Sequence, residues 1–177
     1  MLRQMTRQMM KSGLVFGLGL MTWLTLFSAA YAQQVTLQGT DGKAVTTADL
    51  KDKVTVLSFG ATWVPLAAKE LPALQKLADR YAARGVQVYW VSVNSAKTGA
   101  KNYATDADLE AFATKRGLKT RVLRDPEQAA YRAYAVDALP TIVILKNGEV
   151  ARKVVGFDPD QGEAYAAVMK ELDALLK

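Results

Sequence analysis

The chain contains no cysteine and no histidine. Five of its six methionines lie before residue 22, which leaves Met169 as the single thioether in the rest of the chain. Soft and borderline metal ions prefer thiolate, imidazole and thioether ligands, so we predict no zinc, copper or haem site and no bound cofactor. A Ser-His-Asp or Cys-His hydrolase is also excluded, because the imidazole base is missing.

The first 32 residues predict a secretory signal. Three basic residues and no acidic one precede an apolar run from Gly13 to Phe27, and Ala30-Tyr31-Ala32 is a typical cleavage pattern. We therefore predict a signal peptide over 1–32 and one domain over 33–177, located in the periplasm or secreted. The alternative is an uncleaved membrane anchor, although the apolar run is short for a span of about 20 residues.

The charge balance argues against a nucleic-acid partner. The chain has 23 basic and 17 acidic residues, and three of the basic ones lie in the predicted signal. The small remaining positive excess is scattered, whereas nucleic-acid binding needs a clustered basic face. We expect contact with a membrane only if the N-terminal segment is retained.

The apolar pattern predicts an α/β fold in which a central mixed sheet has helices on both faces. A hairpin comes first, and an Asn147-Gly148 turn joins the last two strands. The elements predicted after the first hairpin are strand Val54–Phe59, helix Leu66–Arg84, strand Val86–Val93, helix Asp106–Arg116, strand Arg121–Leu123, a helix from Asp125-Pro126 through Tyr134, strand Thr141–Leu145, strand Val150–Val155 and a helix introduced by Asp158-Pro159-Asp160 that runs to Lys177.

Acidic residues gather where helices are predicted to start. At these positions a carboxylate caps the free N–H groups and complements the helix dipole. We give this role to Asp106, Asp108 and Glu110, and we expect Glu70 to be a favourable charge near the start of its helix. Asp158 and Asp160 are given the same role; weak chelation of a hard cation by these two residues with Asp125 is the alternative, but their spacing does not match an EF-hand loop.

One stretch, VLSFGATWVPLAAKELPAL from Val56 to Leu74, combines a strand, a Trp-X-Pro turn and a helix. The start of a helix stabilises an anion through its free N–H groups and its dipole, and reactive groups are often placed there. In this chain the position is occupied by Val64, Leu66 and Ala67. The sequence therefore predicts the geometry of a helix-mouth active site without a reactive side chain.

The order of elements and two segments resemble the thioredoxin-like superfamily, specifically the secreted TlpA-type thiol-disulfide oxidoreductases and the redoxin (AhpC/TSA-like) domains. The segment FGATWVPLA, Phe59 to Ala67, is similar to the family's F-W-A-T-W-C-P-P-C, and Asp125 to Val150 is similar to the segment around its cis-proline. The resemblance covers 33–177. It implies a thioredoxin-like fold with an N-terminal hairpin extension.

The resemblance places the attacking cysteine of the family at Val64 and the resolving cysteine at Ala67. Disulfide exchange needs a thiolate of lowered pKa and a second thiol that resolves the mixed disulfide. Valine and alanine supply neither, and no other cysteine is available. We predict a degenerate redox site without catalytic residues, and the same reasoning excludes peroxiredoxin-type chemistry.

The resemblance also implies a groove in which the residue before the cis-proline offers its backbone to an extended substrate peptide. The corresponding positions are Leu139 and Pro140, beside Trp63, Val64, Pro65 and Leu66. Such a groove suits capture of a protein or an extended peptide by strand addition. Two roles stay open for Trp63: a contact platform for the peptide, or a partly buried aromatic that locks the turn. We expect the role of Pro140 to be primarily structural, as a residue that determines the fold.

The loop from Ser95 to Tyr103 has two interpretations. It is either a solvated connector or, through two lysines and a tyrosine, the rim of the groove. Our leading hypothesis for the chain is a redox-inactive, exported thioredoxin-like domain that binds a protein or peptide. The alternative is an enzyme of another class that uses non-thiol groups or an added ligand at the same site; the absence of a strong general base favours the binding module.

Overall fold

The computed structural model describes residues 34–160, 163 and 165–177, so the predicted signal segment lies outside the described residues. The strands are β1 Thr36–Gly39, β2 Ala44–Thr46, β3 Val54–Gly60, β4 Gln87–Ser92, β5 Val122–Arg124, β6 Thr141–Lys146 and β7 Glu149–Val155. The helices are α1 Pro65–Tyr81, α2 Asp106–Thr114, α3 Ala129–Ala133 and α4 Ala166–Leu175, with 3₁₀ turns at Thr47–Leu50 and Ala82–Arg84.

The seven strands form one mixed sheet in the order β2-β1-β5-β4-β3-β6-β7. Strand β4 pairs parallel with β3 and β5, and the remaining pairs are antiparallel. Strands β1 and β2 are the predicted hairpin. In the turn between β6 and β7, Asn147 and Gly148 both have positive φ, 57° and 83°, as an Asn-Gly hairpin turn requires. The predicted α/β thioredoxin-like architecture is confirmed.

Strand β3 lies inside the sheet, and all seven of its residues are buried. Successive side chains of a strand point to opposite faces, so β3 supplies both halves of the core. Val56 packs with apolar residues of α1, α2 and α4, whereas Leu57 and Phe59 pack with the hairpin and α3. A near-continuous apolar run is typical of a strand covered on both faces, which is why the sequence located it well.

The start predicted for the third helix, at Asp125-Pro126, was wrong. It begins at Ala129, is five residues long, and is preceded by Gln128 with a left-handed φ of 54°. Asp125 still caps it, but from a distance, because its carboxylate accepts the N–H groups of Ala130 at 3.2 Å and Tyr131 at 2.7 Å. The positive φ of Gln128 breaks the helical path that the Asp-Pro pattern suggests.

The last helix also starts later than predicted. Asp158 Oδ1 accepts the N–H of Asp160 at 3.0 Å, so these residues form a local turn, and α4 begins at Ala166. For α2 the predicted capping role of Asp108 is confirmed, because Asp108 and the N-cap residue Thr105 form a reciprocal capping box.

Candidate functional site

The Trp-X-Pro turn and the residues before β6 are neighbours because β3 and β6 are adjacent strands. Phe59, near the end of β3, pairs with Thr141, the first residue of β6. The chain then turns, with the Val64 N–H donating to the Ala61 carbonyl at 3.1 Å, and enters α1 at Pro65. The Leu139–Pro140 peptide bond just before Thr141 is cis, as predicted.

The two positions that the resemblance assigns to cysteine are apolar and well packed. Val64 is the N-cap residue of α1, is half-buried, and packs against the cluster of Phe59 and its neighbours, as Leu139 does. Ala67 is completely buried. A Cβ on the nearby Gly60 would lie 3.5 Å from the Ala67 Cβ and only 2.6 Å from the Trp90 indole nitrogen, so glycine is required there for close packing.

The remaining groove residues differ in exposure. Trp63 is 48% exposed, which favours the contact platform over the buried lock. Pro65 is exposed, Leu66 and Leu139 are half-buried, and Pro140 is buried. Along the described parts of the chain, no hydrogen bond reaches the N–H or the carbonyl of Leu139, while the Pro140 carbonyl accepts the Gly156 N–H at 2.8 Å. An unpaired backbone residue therefore precedes β6, and an exposed aromatic residue follows the adjacent strand β3.

Asn94 holds this turn, and the sequence analysis missed it. Its buried side-chain Oδ1 accepts the Thr62 N–H at 3.0 Å and the Ser92 hydroxyl at 2.9 Å. Its Nδ2 donates to Thr62 Oγ1 at 2.8 Å and to the Asn102 carbonyl at 3.2 Å. One amide thus joins the end of β4, the Trp-X-Pro turn and the following loop; a polar residue directly after a buried strand was the only local signal for it.

Glu70 is not the helix-start charge that we expected. Its side chain is 1% exposed, and its Oε1 accepts hydrogen bonds of 2.7 Å from the Ser58 hydroxyl and the Tyr165 hydroxyl. Among the described residues, nothing donates to Oε2. The expectation failed because residue 70 lies on the face of α1 that turns toward β3, where a carboxylate is shielded from water.

Burial has the largest effect on the pKa values of Glu70 and Tyr165. Desolvation raises the pKa of Glu70 from 4.5 to about 7, although the hydrogen bonds from Ser58 and Tyr165 act in the opposite direction. The pKa of Tyr165 is raised well above its ordinary value by its own burial and by the neighbouring carboxylate. The cluster is a buried group that can bind a proton, and its burial keeps it from contact with a substrate on the surface.

The predicted acidic cluster does not form a metal site. Asp106 pairs with Arg124 at 2.6 Å, Asp108 caps α2, and Glu110 accepts the Thr40 hydroxyl. Residues 34–160, 163 and 165–177 contain no group of three or more acidic residues arranged to hold a metal ion. Over the same residues, no helix is both long and apolar enough to cross a membrane.

Comparison with known proteins now identifies the relatives of this fold and site. Residues 29–161 match the family model described as the AhpC/TSA family. The chain belongs to the AhpC/TSA family. The positions that the resemblance assigns to the redox cysteines, 64 and 67, are valine and alanine in this chain.

A thiol-disulfide oxidoreductase is among the curated relatives of this chain. The chain is 30% identical over 117 residues to the thiol-disulfide oxidoreductase ResA of Bacillus thuringiensis (strain Al Hakam), a match that covers 66% of this chain and 62% of ResA. It thus spans about three fifths of the length of this curated relative.

Solved structures show the same fold. A candidate thiol:disulfide interchange protein DsbE from Chlorobium tepidum superimposes with a TM-score of 0.67 at 28% identity, covering 82% of this chain and 95% of that one. A secreted Mycobacterium tuberculosis disulfide oxidoreductase homologous to E. coli DsbE gives a TM-score of 0.63 at 21% identity, covering 83% and 100%. At that lower identity the likeness concerns the fold alone.

Proposed function

We propose that this chain is a redox-inactive member of the AhpC/TSA family that binds an extended segment of another protein at the former redox site. We call the surface formed by these residues the groove: Trp63, Val64, Pro65, Leu66, Leu139 and Pro140. The observation that carries the proposal is the unpaired backbone of Leu139 just before β6, together with the exposed Trp63 in the turn that follows the adjacent strand β3.

Strand addition needs backbone groups that are accessible and an apolar surface that accepts alternate side chains. Leu139 supplies both a donor and an acceptor, and Trp63 supplies a large amphipathic ring of the kind that is enriched at protein interfaces. Val64 occupies the N-cap position of α1 with an apolar side chain instead of a thiolate. Binding at this place therefore does not lead to a mixed disulfide.

The enzymatic alternative has little support from the groups at the site. Glu70 and Ser58 are the polar side chains closest to a catalytic type, and both are essentially buried, at 1% and 0% exposure. A general base must come within hydrogen-bond reach of the proton that it abstracts from a substrate. The carboxylate of Glu70 lies on the face of α1 that turns toward the sheet, so it does not meet that condition.

We further propose that the domain acts outside the cytoplasm. The signal pattern before Gln33 supports export. N-terminal sequencing of protein recovered from the host should begin at Gln33. A chain that retains its first residues would contradict cleavage and favour the membrane anchor.

Peptide binding is tested by fluorescence polarisation with labelled octapeptides of alternating valine and polar residues. The wild-type chain should bind such extended peptides, and Leu139→Asp should lose binding because it places a charge beside the backbone that pairs. The matched control is Val150→Asp, at an exposed apolar position on β7 that pairs with Leu145 at the far end of β6.

The proposal fails if no peptide binds, or if Leu139→Asp and Val150→Asp behave alike. Redox inactivity has its own assay, reduction of insulin disulfides by the purified protein in the presence of a thiol donor. We expect no turnover above the blank. Appreciable turnover would show that this chain is redox-active although it contains no thiol.

A further inference from the structure

Two exposed aromatic side chains lie on neighbouring segments at the groove. Trp63 is 48% exposed and Tyr103 is 39% exposed. Asn94 Nδ2 donates to Thr62 Oγ1 at 2.8 Å and to the Asn102 carbonyl at 3.2 Å. Each aromatic residue directly follows one of these partners in the sequence, so the Trp-X-Pro turn and the 95–103 loop are fastened together at one buried amide.

The 95–103 loop is a well-defined structure. The Ser95 N–H donates to the Asn102 carbonyl at 3.0 Å, and the Ala104 N–H donates back to the Ser95 carbonyl at 3.1 Å. Beneath it, Arg124 donates to the Ala104 carbonyl at 2.6 Å. The loop is therefore held in place, and Asn94 ties it to the Trp-X-Pro turn, which supports the second of the two interpretations made from the sequence, the rim of the groove.

The rim carries uncompensated positive charge. Lys97 and Lys101 are exposed, and neither forms an ion pair with any residue in the described ranges. The next acidic residue along the chain, Asp106, is already paired with Arg124. In the segment before Leu139, Asp137 is exposed, and Lys153 Nζ donates to the Ala135 carbonyl.

We infer, on the basis of the proposed function, that the bound segment is an acidic extended peptide, with a carboxylate side chain at Lys97 and Lys101 and an apolar side chain on Trp63 and Tyr103. Complementary charge at an interface selects among partners and speeds association. The apolar contacts and the backbone of Leu139 would hold many extended segments. The lysine pair gives preference to acidic ones and disfavours basic ones.

The test uses three labelled octapeptides that differ only in charge: TVDVDVTS, its neutral counterpart TVNVNVTS and its basic counterpart TVKVKVTS. We expect the acidic peptide to bind roughly three- to tenfold more tightly than the neutral one, with the basic peptide weakest. The difference should shrink severalfold between about 0.05 M and 0.3 M salt, because exposed charges are screened.

The double substitution Lys97→Glu with Lys101→Glu should abolish or reverse this order of affinities. The affinity for the neutral peptide should change little. The control, Lys115→Glu with Lys119→Glu, makes the same charge change at exposed positions beyond the end of α2 and should preserve the order. Tyr103→Ser should weaken all three peptides equally.

The failures of the two proposals are distinguishable. Equal binding of the acidic and neutral peptides, or an unchanged order in the Lys97/Lys101 variant, would overturn the acidic specificity and leave peptide binding intact. Equal loss of order in both lysine variants would show that overall charge, not the rim, is responsible, and would also overturn it. Absence of binding for every peptide would reject the proposed function together with this inference.

Discussion

Tyr165 donates a 2.7 Å hydrogen bond to the carboxylate of Glu70 and so joins the residue before α4 to the middle of α1, across 95 positions of the chain. Ser58 of β3 donates to the same oxygen at 2.7 Å. Three elements thus meet at one buried carboxyl group that lies below the degenerate turn. Because such a group is costly to ionise, its protonation state is coupled to the stability of the whole domain.

Substitution Glu70→Gln should change how stability depends on pH. The folded-state pKa of Glu70 is about 7 and the ordinary value is 4.5, so the folded chain holds this proton over a range in which the unfolded chain releases it. The contribution of Glu70 to stability is therefore fully present below pH 4.5, decreases as the pH rises from 4.5 to 7, and is smaller by about 3 kcal/mol above that. Urea unfolding at pH 5 and pH 8 should show this fall in the wild type.

In Glu70→Gln the same fall should be absent, since glutamine keeps the shape and does not titrate. The carboxyl groups of Asp41, Asp49, Asp108 and Asp173 have lowered pKa values, so they lose stabilising interactions only under more acidic conditions and do not disturb this window. Equal pH dependence in the two proteins would show that Glu70 does not titrate in this range.

Substitution Tyr165→Phe removes one of the two donors to Glu70. A hydrogen bond to an ionised group contributes more than one to a neutral group, so the loss should be about 2 kcal/mol at pH 8 and about 1 kcal/mol at pH 5. The matched control is Tyr134→Phe, because the Tyr134 hydroxyl is buried without a partner among the described residues and its removal should be nearly neutral. Identical losses for the two variants would contradict the role of Tyr165.

Much of the fold follows from local sequence pattern. The buried run of β3 and the Asn147-Gly148 turn are each specified by residues close in sequence, and their prediction is confirmed; the cis bond before Pro140, also observed, was implied by the family resemblance. The environment of Glu70 is different: Tyr165 comes from the far end of the chain, and no spacing near residue 70 indicates it. The same holds for α3, whose start depends on the left-handed φ of Gln128, a conformation that glutamine rarely adopts.

Substitution Asn94→Ala should loosen the Trp-X-Pro turn. It deletes an amide that satisfies the Thr62 N–H, the Thr62 hydroxyl and the Asn102 carbonyl in a buried setting. We expect a loss of about 2–4 kcal/mol in the free energy of unfolding and faster amide exchange at Thr62. Asn102→Ala is the control, because Asn102 contributes its backbone carbonyl, and it should have little effect. Unchanged exchange at Thr62 in Asn94→Ala would show that the turn is held by other contacts.

Introducing cysteines by Val64→Cys and Ala67→Cys tests whether the site geometry of a thiol enzyme survives. A cysteine at 64 would occupy the N-cap position of α1, where the first N–H groups and the helix dipole stabilise a thiolate. A cysteine at 67 would lie one turn later, at a position whose N–H already donates to the residue 64 carbonyl at 3.1 Å. We expect the double variant to reduce insulin disulfides measurably above the wild type.

The single substitution Val64→Cys is the control for this experiment. It can form a mixed disulfide but lacks a partner to resolve it, so it should become labelled by a disulfide reagent without repeated turnover. A double variant that folds, as judged by its unfolding transition, yet remains inert would show that the turn has diverged from the redox geometry. Activity in the double variant alone would show that two side chains, and not the backbone, separate this chain from a thiol oxidoreductase.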